Sequence, residues 1–333
     1  MRAKAIVFAL SACAAFGQDT ARVFHLHHID QTQDLNEFTT LVRTISDIPQ
    51  VSADAAQKTL SVRGTASQVA IAEFLFTELD RQTVPDSVTQ EFRVSNNADD
   101  VVRIFFAPYT ATVQQFQEIA TTVRTIAEIR RVFTYNTPRA LAVRGTADQV
   151  AATEWMIREL DQPADAKRTD SRPYQMIDPR NMGFTAVRVF YVPYASTVQQ
   201  FQEVATLVRT IGEIRQVFTY NTPRALIVRG TPDQVALADW MIHELGKPVT
   251  TEASQKYTYP DVYHDGENVV RVFYVRDVAT VPAFQQLATQ IRTATKIRRV
   301  FTYNESKALA LRGTEAQLAT AEQMLQDRQL ASK

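Results

Sequence analysis

The sequence has little of what disulfides, cysteine-based metal sites or glycine-rich loops require. Cys13 is its single cysteine and 9 of the 333 residues are glycine, so the chain cannot form an internal disulfide. Lysine plus arginine equals aspartate plus glutamate, at 36 each. This balance argues against a main role in binding nucleic acid or anionic membranes, which usually shows as a strong basic excess.

Catalytic signatures are also missing from the sequence. It contains no serine-centred nucleophile elbow, no His-Glu-x-x-His, no phosphate-binding loop and no paired-carboxylate motif. We therefore expect a protein that is not an enzyme and that has no cofactor or metal. His25, His27 and His28 leave a metal site open as an alternative. We favour a polar cluster at a strand end, because no cysteine or carboxylate pair lies nearby in the sequence.

Residues 1–17 have the features of a secretory signal. A charged start at Arg2 and Lys4 precedes a short apolar run that is too short to span a bilayer. Two cleavage sites compete. Cleavage after Gly17 would leave Gln18 first, whereas Leu10-Ser-Ala-Cys13 resembles a lipobox and would leave a lipidated Cys13. Both cleavage sites predict an exported protein, in the periplasm or attached to the outer membrane. A lipid on Cys13 would be its only contact with the membrane.

One sequence module is repeated four times along the chain. Its marker is Gly-Thr-x-x-Gln after a short apolar strand, and the glycines lie 81, 85 and 83 residues apart, at Gly64, Gly145, Gly230 and Gly313. A fixed period of this kind indicates an array of one small folding unit. We divide the chain into a signal and modules 1 to 4, with the bounds 1–17, 18–84, 85–163, 164–247 and 248–330.

The pattern inside a module predicts an α+β fold. Apolar residues alternate in short strands and recur at helical spacing between them. Thr112 with Gln115 and Thr146 with Gln149 form capping boxes, which mark the starts of two helices. Each module is predicted as strand–helix–strand–strand–helix, with two helices on one face of a three-stranded mixed sheet. In module 2 the expected core residues are Phe116, Ile119, Val123, Phe133, Leu141, Val143 and Ile157.

Proline and turn residues separate the modules, and each separating segment also holds a short apolar alternation. It lies around Phe92, Tyr174 and Tyr257, and we interpret it as an extra strand that forms a hairpin with the first strand of the next module. Trp155 and Trp240 lie in the second helices of modules 2 and 3. We expect them in the core, and an exposed aromatic anchor between modules is the alternative.

The repeat resembles the small periplasmic N-terminal domains of bacterial secretins. The resemblance is carried by Thr59-Leu-Ser-Val-Arg-Gly-Thr65 with Phe76-Thr-Glu-Leu-Asp80, and by Ala140 to Thr146 with Ile157-Arg-Glu-Leu-Asp161. It covers all four modules in outline. It implies ring or stack assembly in the cell envelope, with other envelope proteins or further copies of the chain as partners. The glycine-rich membrane barrel of a secretin has no counterpart here, so we do not expect this chain to form a pore by itself.

The turn between the last two strands is the candidate interaction surface. It repeats with its tyrosine, asparagine and basic residue in modules 2, 3 and 4, at Tyr135, Asn136 and Arg139, Tyr220, Asn221 and Arg224, and Tyr303, Asn304 and Lys307. We expect it to face a protein partner, possible lipidation of Cys13 being the only other site. The repeated arginines leave a cell-wall glycan or another anionic polymer as an alternative. Nucleic acid is not expected, because the Gly-x-x-Gly loop of KH domains is missing.

Overall fold

The computed structural model describes most of the chain. The predicted signal segment with Cys13 and the predicted boundary between modules 1 and 2 lie outside the described residues. Those residues are 19–29, 31–81, 90–94, 100–177, 183–250, 253–260 and 266–331. None of the helices within these ranges combines the length and the apolar character that a membrane span requires.

Four copies of the predicted element order follow one another. Module 1 consists of β1 (Thr20–His25), α1 (Thr32–Ser46), β2 (Gln50–Asp54), β3 (Thr59–Gly64) and α2 (Ala66–Leu79). Module 2 consists of β4 (Phe92–Arg93), β5 (Val101–Phe106), α3 (Val113–Ile126), β6 (Arg131–Tyr135), β7 (Ala140–Gly145) and α4 (Ala147–Leu160). The α+β class is confirmed, and so is the extra strand before the second module.

Modules 3 and 4 repeat the plan of module 2. Module 3 consists of β8 (Tyr174–Ile177), β9 (Phe184–Tyr191), α5 (Val198–Gly212), β10 (Gln216–Tyr220), β11 (Ala225–Gly230) and α6 (Pro232–Leu245). Module 4 consists of β12 (Tyr257–Thr258), β13 (Val269–Tyr274), α7 (Val281–Thr295), β14 (Arg299–Tyr303), β15 (Ala308–Gly313) and α8 (Glu315–Ala331).

The sheets are antiparallel throughout, and the expectation of mixed sheets is wrong. In module 1 the strand order is β1-β3-β2, so the last strand lies in the centre and is antiparallel to both neighbours. The first two strands run parallel, but they do not touch each other. Modules 2 to 4 keep this order and add the extra strand at the edge next to the first long strand.

The capping boxes tie the two helices of a module together. Thr146 accepts from the backbone N–H of Gln149, and the Gln149 Oε1 accepts from the Thr146 N–H at 3.0 Å. The Gln149 Nε2 also donates to the carbonyls of Ala127 and Glu128 at the end of α3. Gly145 is the last residue of β7 rather than a break after it. A Cβ there would lie 2.7 Å from the Gln149 Oε1, so glycine leaves room for this glutamine.

The predicted core of module 2 is confirmed with one difference. Six of the seven expected residues are buried, and Phe133 is only partly buried. Phe133 lies on the other face of the sheet, where it packs with the core of module 1. The core of module 1 therefore continues across the sheet of module 2.

Each sheet from module 2 onwards is covered on both faces. We call the face that packs on the module's own helices the inner face and the opposite one the outer face. The outer face of module 2 joins the module 1 core through Val102, Ile104, Phe106, Ala140 and Ala142. The outer faces of modules 3 and 4 join the cores of modules 2 and 3 in the same way. The four modules thus form one stack, in which helix layers alternate with sheets.

Candidate interaction site at the module junctions

We call the contact between the first helix of one module and the outer face of the next sheet a junction. There are three: α1 with β6, α3 with β10, and α5 with β14. The tyrosine that precedes each predicted turn lies in a junction. Tyr135 is 3% exposed and its ring centroid lies 6.2 Å from that of Phe38. Tyr220 and Tyr303 are buried in the same position.

Each turn asparagine is bound by a glutamate of the preceding module. Asn136 donates its backbone N–H and its Nδ2 to the two carboxylate oxygens of Glu37, both at 3.1 Å. Asn221 does the same to Glu118, at 3.0 and 3.2 Å. Asn304 does so to Glu203, at 3.1 and 2.9 Å. Hydrogen bonds to a charged group are stronger than neutral ones, so this pair fixes the position of the turn on the helix.

A second acidic residue acts at the end of each first helix. Asp47 has a left-handed backbone (φ 63) and its carboxylate bridges to Arg131 at the start of β6. At the next two junctions Glu128 accepts from the Gln216 Nε2 at 2.6 Å, and Glu213 pairs with Arg299 at 2.7 Å. The helix side of every junction therefore supplies acceptors, and the strand side supplies donors.

An arginine of the central strand completes each junction. Arg144, Arg229 and Arg312 donate Nη1 to the carbonyls of Ile45, Ile126 and Ile211, in the last turn of the preceding helix. These carbonyls have no partner inside their helix, and a cation complements the negative end of the helix dipole. Arg229 and Arg312 are 4% and 1% exposed. These arginines are therefore parts of the stack and not an open anionic-ligand surface.

Arg144 is also held by an acid of its own module. Its Nε and Nη2 donate to the two oxygens of Asp100, at 2.7 and 2.6 Å. This bidentate pair lowers the pKa of the Asp100 carboxyl, chiefly through the hydrogen bonds from Arg144. The carboxylate thereby fixes the guanidinium that reaches the neighbouring module.

The basic residue at the end of each turn stays within its own module. Arg139 has a left-handed backbone (φ 63), and its Nη2 donates to the Ala111 carbonyl at 3.0 Å. Arg224 donates to the Ser196 carbonyl at 2.6 Å, and Lys307 donates to the Val278 carbonyl. These side chains hold the turn against the loop before the first helix. Whether the turn also contacts another protein stays a prediction.

The second helices contact the following module through aromatic pairs. Trp155 stacks on Tyr174 with ring centroids 5.1 Å apart, and Trp240 lies 5.2 Å from Tyr257. Phe74 stacks on Phe92 in the same way. Both tryptophans are partly buried. They therefore act as anchors between modules of one chain, which combines the two alternatives drawn from the sequence.

Burial changes the acidity of the junction tyrosines. It raises the pKa of Tyr220 to about 12, with the negative charges of Asp161 and Glu118 acting in the same direction. Burial also raises the pKa of Tyr303 to about 12, and Glu305 and Glu203 add to it. Both hydroxyls therefore stay neutral at the pH values at which proteins normally work, as a packed junction requires.

The backbone at the predicted histidine cluster is tied to the end of α2. The backbone N–H groups of His27 and His28 donate to the two oxygens of Asp80, at 2.8 and 2.7 Å. Asp80 is the aspartate of the Leu-Asp motif that ends α2. All three histidines are exposed, and the only group of three metal-ligand types in the described ranges lies elsewhere, at Asp170, Asp239 and His243.

That group forms a polar cluster on the side of module 3. The His243 ring nitrogens lie 3.3 Å from an Asp170 oxygen and 3.0 Å from an Asp239 oxygen. Arg188 also pairs with Asp239, at 2.9 Å. In module 2 the matching positions of helix α4 hold Glu154 and Arg158, which form an ion pair. His243 therefore takes the place of an ion-paired arginine.

Sequence reasoning missed the second buried face of each sheet. A signal for it is present, because residues 101–107 read Val-Val-Arg-Ile-Phe-Phe-Ala. A nearly continuous apolar run is typical of a strand that is buried on both faces. The corresponding strand of module 1 has one buried residue, Phe24, and its outer residues are exposed.

The comparisons with known proteins give weak likenesses. No family model and no curated protein matches the chain. Some solved structures do. The N-terminal domain of the secretin XcpQ from Pseudomonas aeruginosa is 14% identical with a TM-score of 0.20, and the match covers 44% of this chain and 63% of that one. ExeD of Aeromonas hydrophila is 12% identical with a TM-score of 0.17, and 89% and 59% of the two chains are covered.

A third match is a protein of unknown function from Aeropyrum pernix, with 9% identity and a TM-score of 0.23, covering 44% of this chain and 84% of that one. The match to the XcpQ domain covers less than two thirds of that chain. The similar structures include secretins, the family that the repeats of this sequence resemble. Identities and TM-scores this low carry no argument about function.

Proposed function

We propose that this is a non-catalytic, exported protein of the cell envelope, whose stacked repeats mediate protein–protein assembly as part of a secretion or pilus system. The observation that carries the proposal is the junction itself. The repeated polar residues, which are the natural candidates for a ligand site, hold one module to the next through hydrogen bonds. Repeats that are held together in this way form an extended stack, and the sides of such a stack can bind other proteins.

The partner contact would use the residues of each turn that the junction leaves exposed. Tyr135 and Asn136 are covered by the preceding module, while Thr137 next to them is exposed. Thr222 and Glu305 are the exposed residues at the same position of the two following turns. A repeated partner that met these turns would gain affinity from several weak contacts at once.

A binding module for a cell-wall glycan or another anionic polymer is the second candidate. It is favoured by exposed arginines at one position of three modules, Arg130, Arg215 and Arg298. These residues lie just before β6, β10 and β14, so that a long anionic chain would meet them in turn.

Two assays on the same purified protein separate these functions. Crosslinking in intact cells followed by capture and mass spectrometry should recover one or a few envelope proteins in fixed proportion. Cosedimentation with purified peptidoglycan should leave the protein in the supernatant. Sedimentation that is lost in the triple variant Arg130→Gln, Arg215→Gln and Arg298→Gln, without any crosslinked protein, would establish the polymer function instead.

A further inference from the structure

The complete set of junction residues occurs three times on the helix side and three times on the strand side, although the chain has four modules. The first helices of modules 1, 2 and 3 share a row of residues four positions apart that faces the next sheet. It consists of Glu37, Leu41 and Ile45 in α1, Glu118, Thr122 and Ile126 in α3, and Glu203, Leu207 and Ile211 in α5. Its leucine, threonine and isoleucine members are fully buried.

Module 4 lacks this row. The matching positions of α7 hold Gln286, Gln290 and Ala294, and all three are exposed. Two amides and a methyl group thus take the place of a carboxylate and two buried side chains. An amide also carries no charge with which to hold the turn asparagine of another module.

The second acidic residue is replaced as well, and by a residue of opposite charge. Lys296 has the left-handed backbone (φ 60) that Asp47, Glu128 and Glu213 have at the other helix ends. Those acids accept from Arg131, Gln216 and Arg299. A lysine there would repel an incoming arginine instead of accepting its hydrogen bond.

Module 1 lacks the tyrosine and the asparagine of the strand side of the junction, although Arg63 stands at the position of Arg144. Ala55 stands at the position of the turn asparagine, and Asp54 at that of the buried tyrosine. The Asp54 carboxylate is used locally, since it accepts from the N–H groups of Ala56 and Gln57 at 2.9 and 3.0 Å. Gln50 stands at the position of Arg131 and Gln216, so a donor is kept there, and it is exposed.

The outer sheet face of module 1 is also less apolar than the other three. Ala21, Val23 and His25 of β1 replace Val102, Ile104 and Phe106, and Thr59 and Ser61 replace Ala140 and Ala142. Val23 is 53% exposed, whereas Ile104 is fully buried. A polar face costs desolvation when it is covered, so it does not reward stacking.

We propose that the stack is closed at both ends, so that copies of this chain do not join head to tail through a fourth junction. Both sides of such a contact differ from the three junctions, in residues that lie far apart in the sequence. Terminal repeats with polar outer faces are what limits a stacked array to its own length. Assembly with a second copy or another envelope protein therefore uses the sides of the stack. This inference does not depend on which partner the protein has.

Two proteins with one altered face each test the closure. In the first, module 4 carries Gln286→Glu, Gln290→Leu, Ala294→Ile and Lys296→Glu. In the second, module 1 carries seven substitutions: Val23→Ile, His25→Phe, Gln50→Arg, Asp54→Tyr, Ala55→Asn, Thr59→Ala and Ser61→Ala. Each is compared with wild type by circular dichroism and by sedimentation equilibrium, alone and in an equal mixture.

We expect each altered protein alone to keep the mass of wild type, and the mixture to form a complex of about twice that mass. The mixture should return to the wild-type mass when Ala55 is left unchanged, because the Glu–Asn pair is then missing. Two folded proteins that do not associate would overturn the assignment of the junction residues.

A wild-type measurement is independent of whether the altered proteins fold. Ser61→Glu and Gln290→Glu each place a charge in one end face without touching a junction. We expect the sedimentation profile of wild type to be unchanged by either. A wild-type assembly that dissociates in both variants would show that the end faces do bind each other, and the closure would be wrong.

Discussion

Glu118 in helix α3 accepts two hydrogen bonds from Asn221, 103 residues further along the chain, one from its backbone N–H and one from its side chain. The same two bonds join Glu37 to Asn136 and Glu203 to Asn304. An asparagine at the start of a turn can present both donors to one carboxylate. This pair therefore fixes each sheet on the helix of the module before it.

A double-mutant cycle tests the pair at the second junction. Glu118→Gln removes the charge and Asn221→Ala removes the side-chain donor, and each should destabilise the protein. The coupling between them should be about 0.5–3 kcal/mol, as is usual for residues in contact. Urea unfolding of the four proteins measures it. Thr222→Ala, beside the asparagine and exposed, serves as the control, and additive effects of the two variants would contradict the assignment.

The buried arginine of the same junction should tolerate no loss of its guanidinium. Arg229 donates to the Ile126 carbonyl and is 4% exposed. We expect Arg229→Lys to cost about 1–3 kcal/mol, because a lysine cannot reproduce the fork of donors and a buried carbonyl is left unpaired. Arg215→Lys, at an exposed position of the same module, should change the free energy of unfolding by less than about 0.5 kcal/mol. Equal effects in thermal melts would refute the role.

A charge in the core of module 2 should unfold more than that module. Val143 is fully buried, and Val143→Asp would place an unpaired carboxylate between β7 and its helices. We expect a loss of about 4 kcal/mol or more. Because the core of module 2 includes the outer sheet face of module 3, protease cleavage should appear in both. Val113→Asp, at an exposed valine of the same module, is the control, and a wild-type melt of Val143→Asp would contradict the strand assignment.

We expect alkaline pH to weaken the junctions, because their buried tyrosines are stable in the folded protein only while they keep their protons. The pKa of Tyr220 is raised to about 12, against about 10 in an unfolded chain. The folded protein therefore holds this proton more tightly, and its contribution to stability is present below pH ~10 and lost as the pH rises towards ~12.

Unfolding free energies at pH 8, 10 and 11 measure this loss. Tyr220→Phe should reduce the decline, because phenylalanine has no proton to lose. Tyr109→Phe, at an exposed tyrosine of module 2, should leave the decline as it is. A decline that is the same in all three proteins would show that the junction tyrosine does not cause it.

The predicted signal segment gives a prediction outside the described residues. If Leu10-Ser-Ala-Cys13 is a lipobox, Cys13→Ser should move the protein from the membrane fraction to the soluble fraction, since the lipid chains supply the anchor. Fractionation of cells that express either form measures this. Wild-type protein that is already in the soluble periplasmic fraction would favour cleavage before Gln18.

The local elements could be predicted from the sequence because their causes lie within a few residues. Thr146 and Gln149 specify a helix start wherever they occur, and the structure shows both of their hydrogen bonds. The alternation around Tyr174 predicted an extra strand, which β8 confirms. The direction of pairing could not be read in this way. It depends on which strand lies in the centre, and strand order is a property of the whole module.

The sequence by itself determined the repeat, the α+β class, the element order and most of the inner core, because these follow from periodicity, capping and apolar spacing. Only the tertiary structure decided what Tyr135, Asn136 and Arg144 do, since their partners lie 99 residues away in the preceding module or in its core. The sequence predicts only that Tyr135 and Asn136 lie at a turn and that Arg144 lies at the end of a strand. Stacking turns the same residues into a buried contact, because each sheet can satisfy its second apolar face only against the next helix layer.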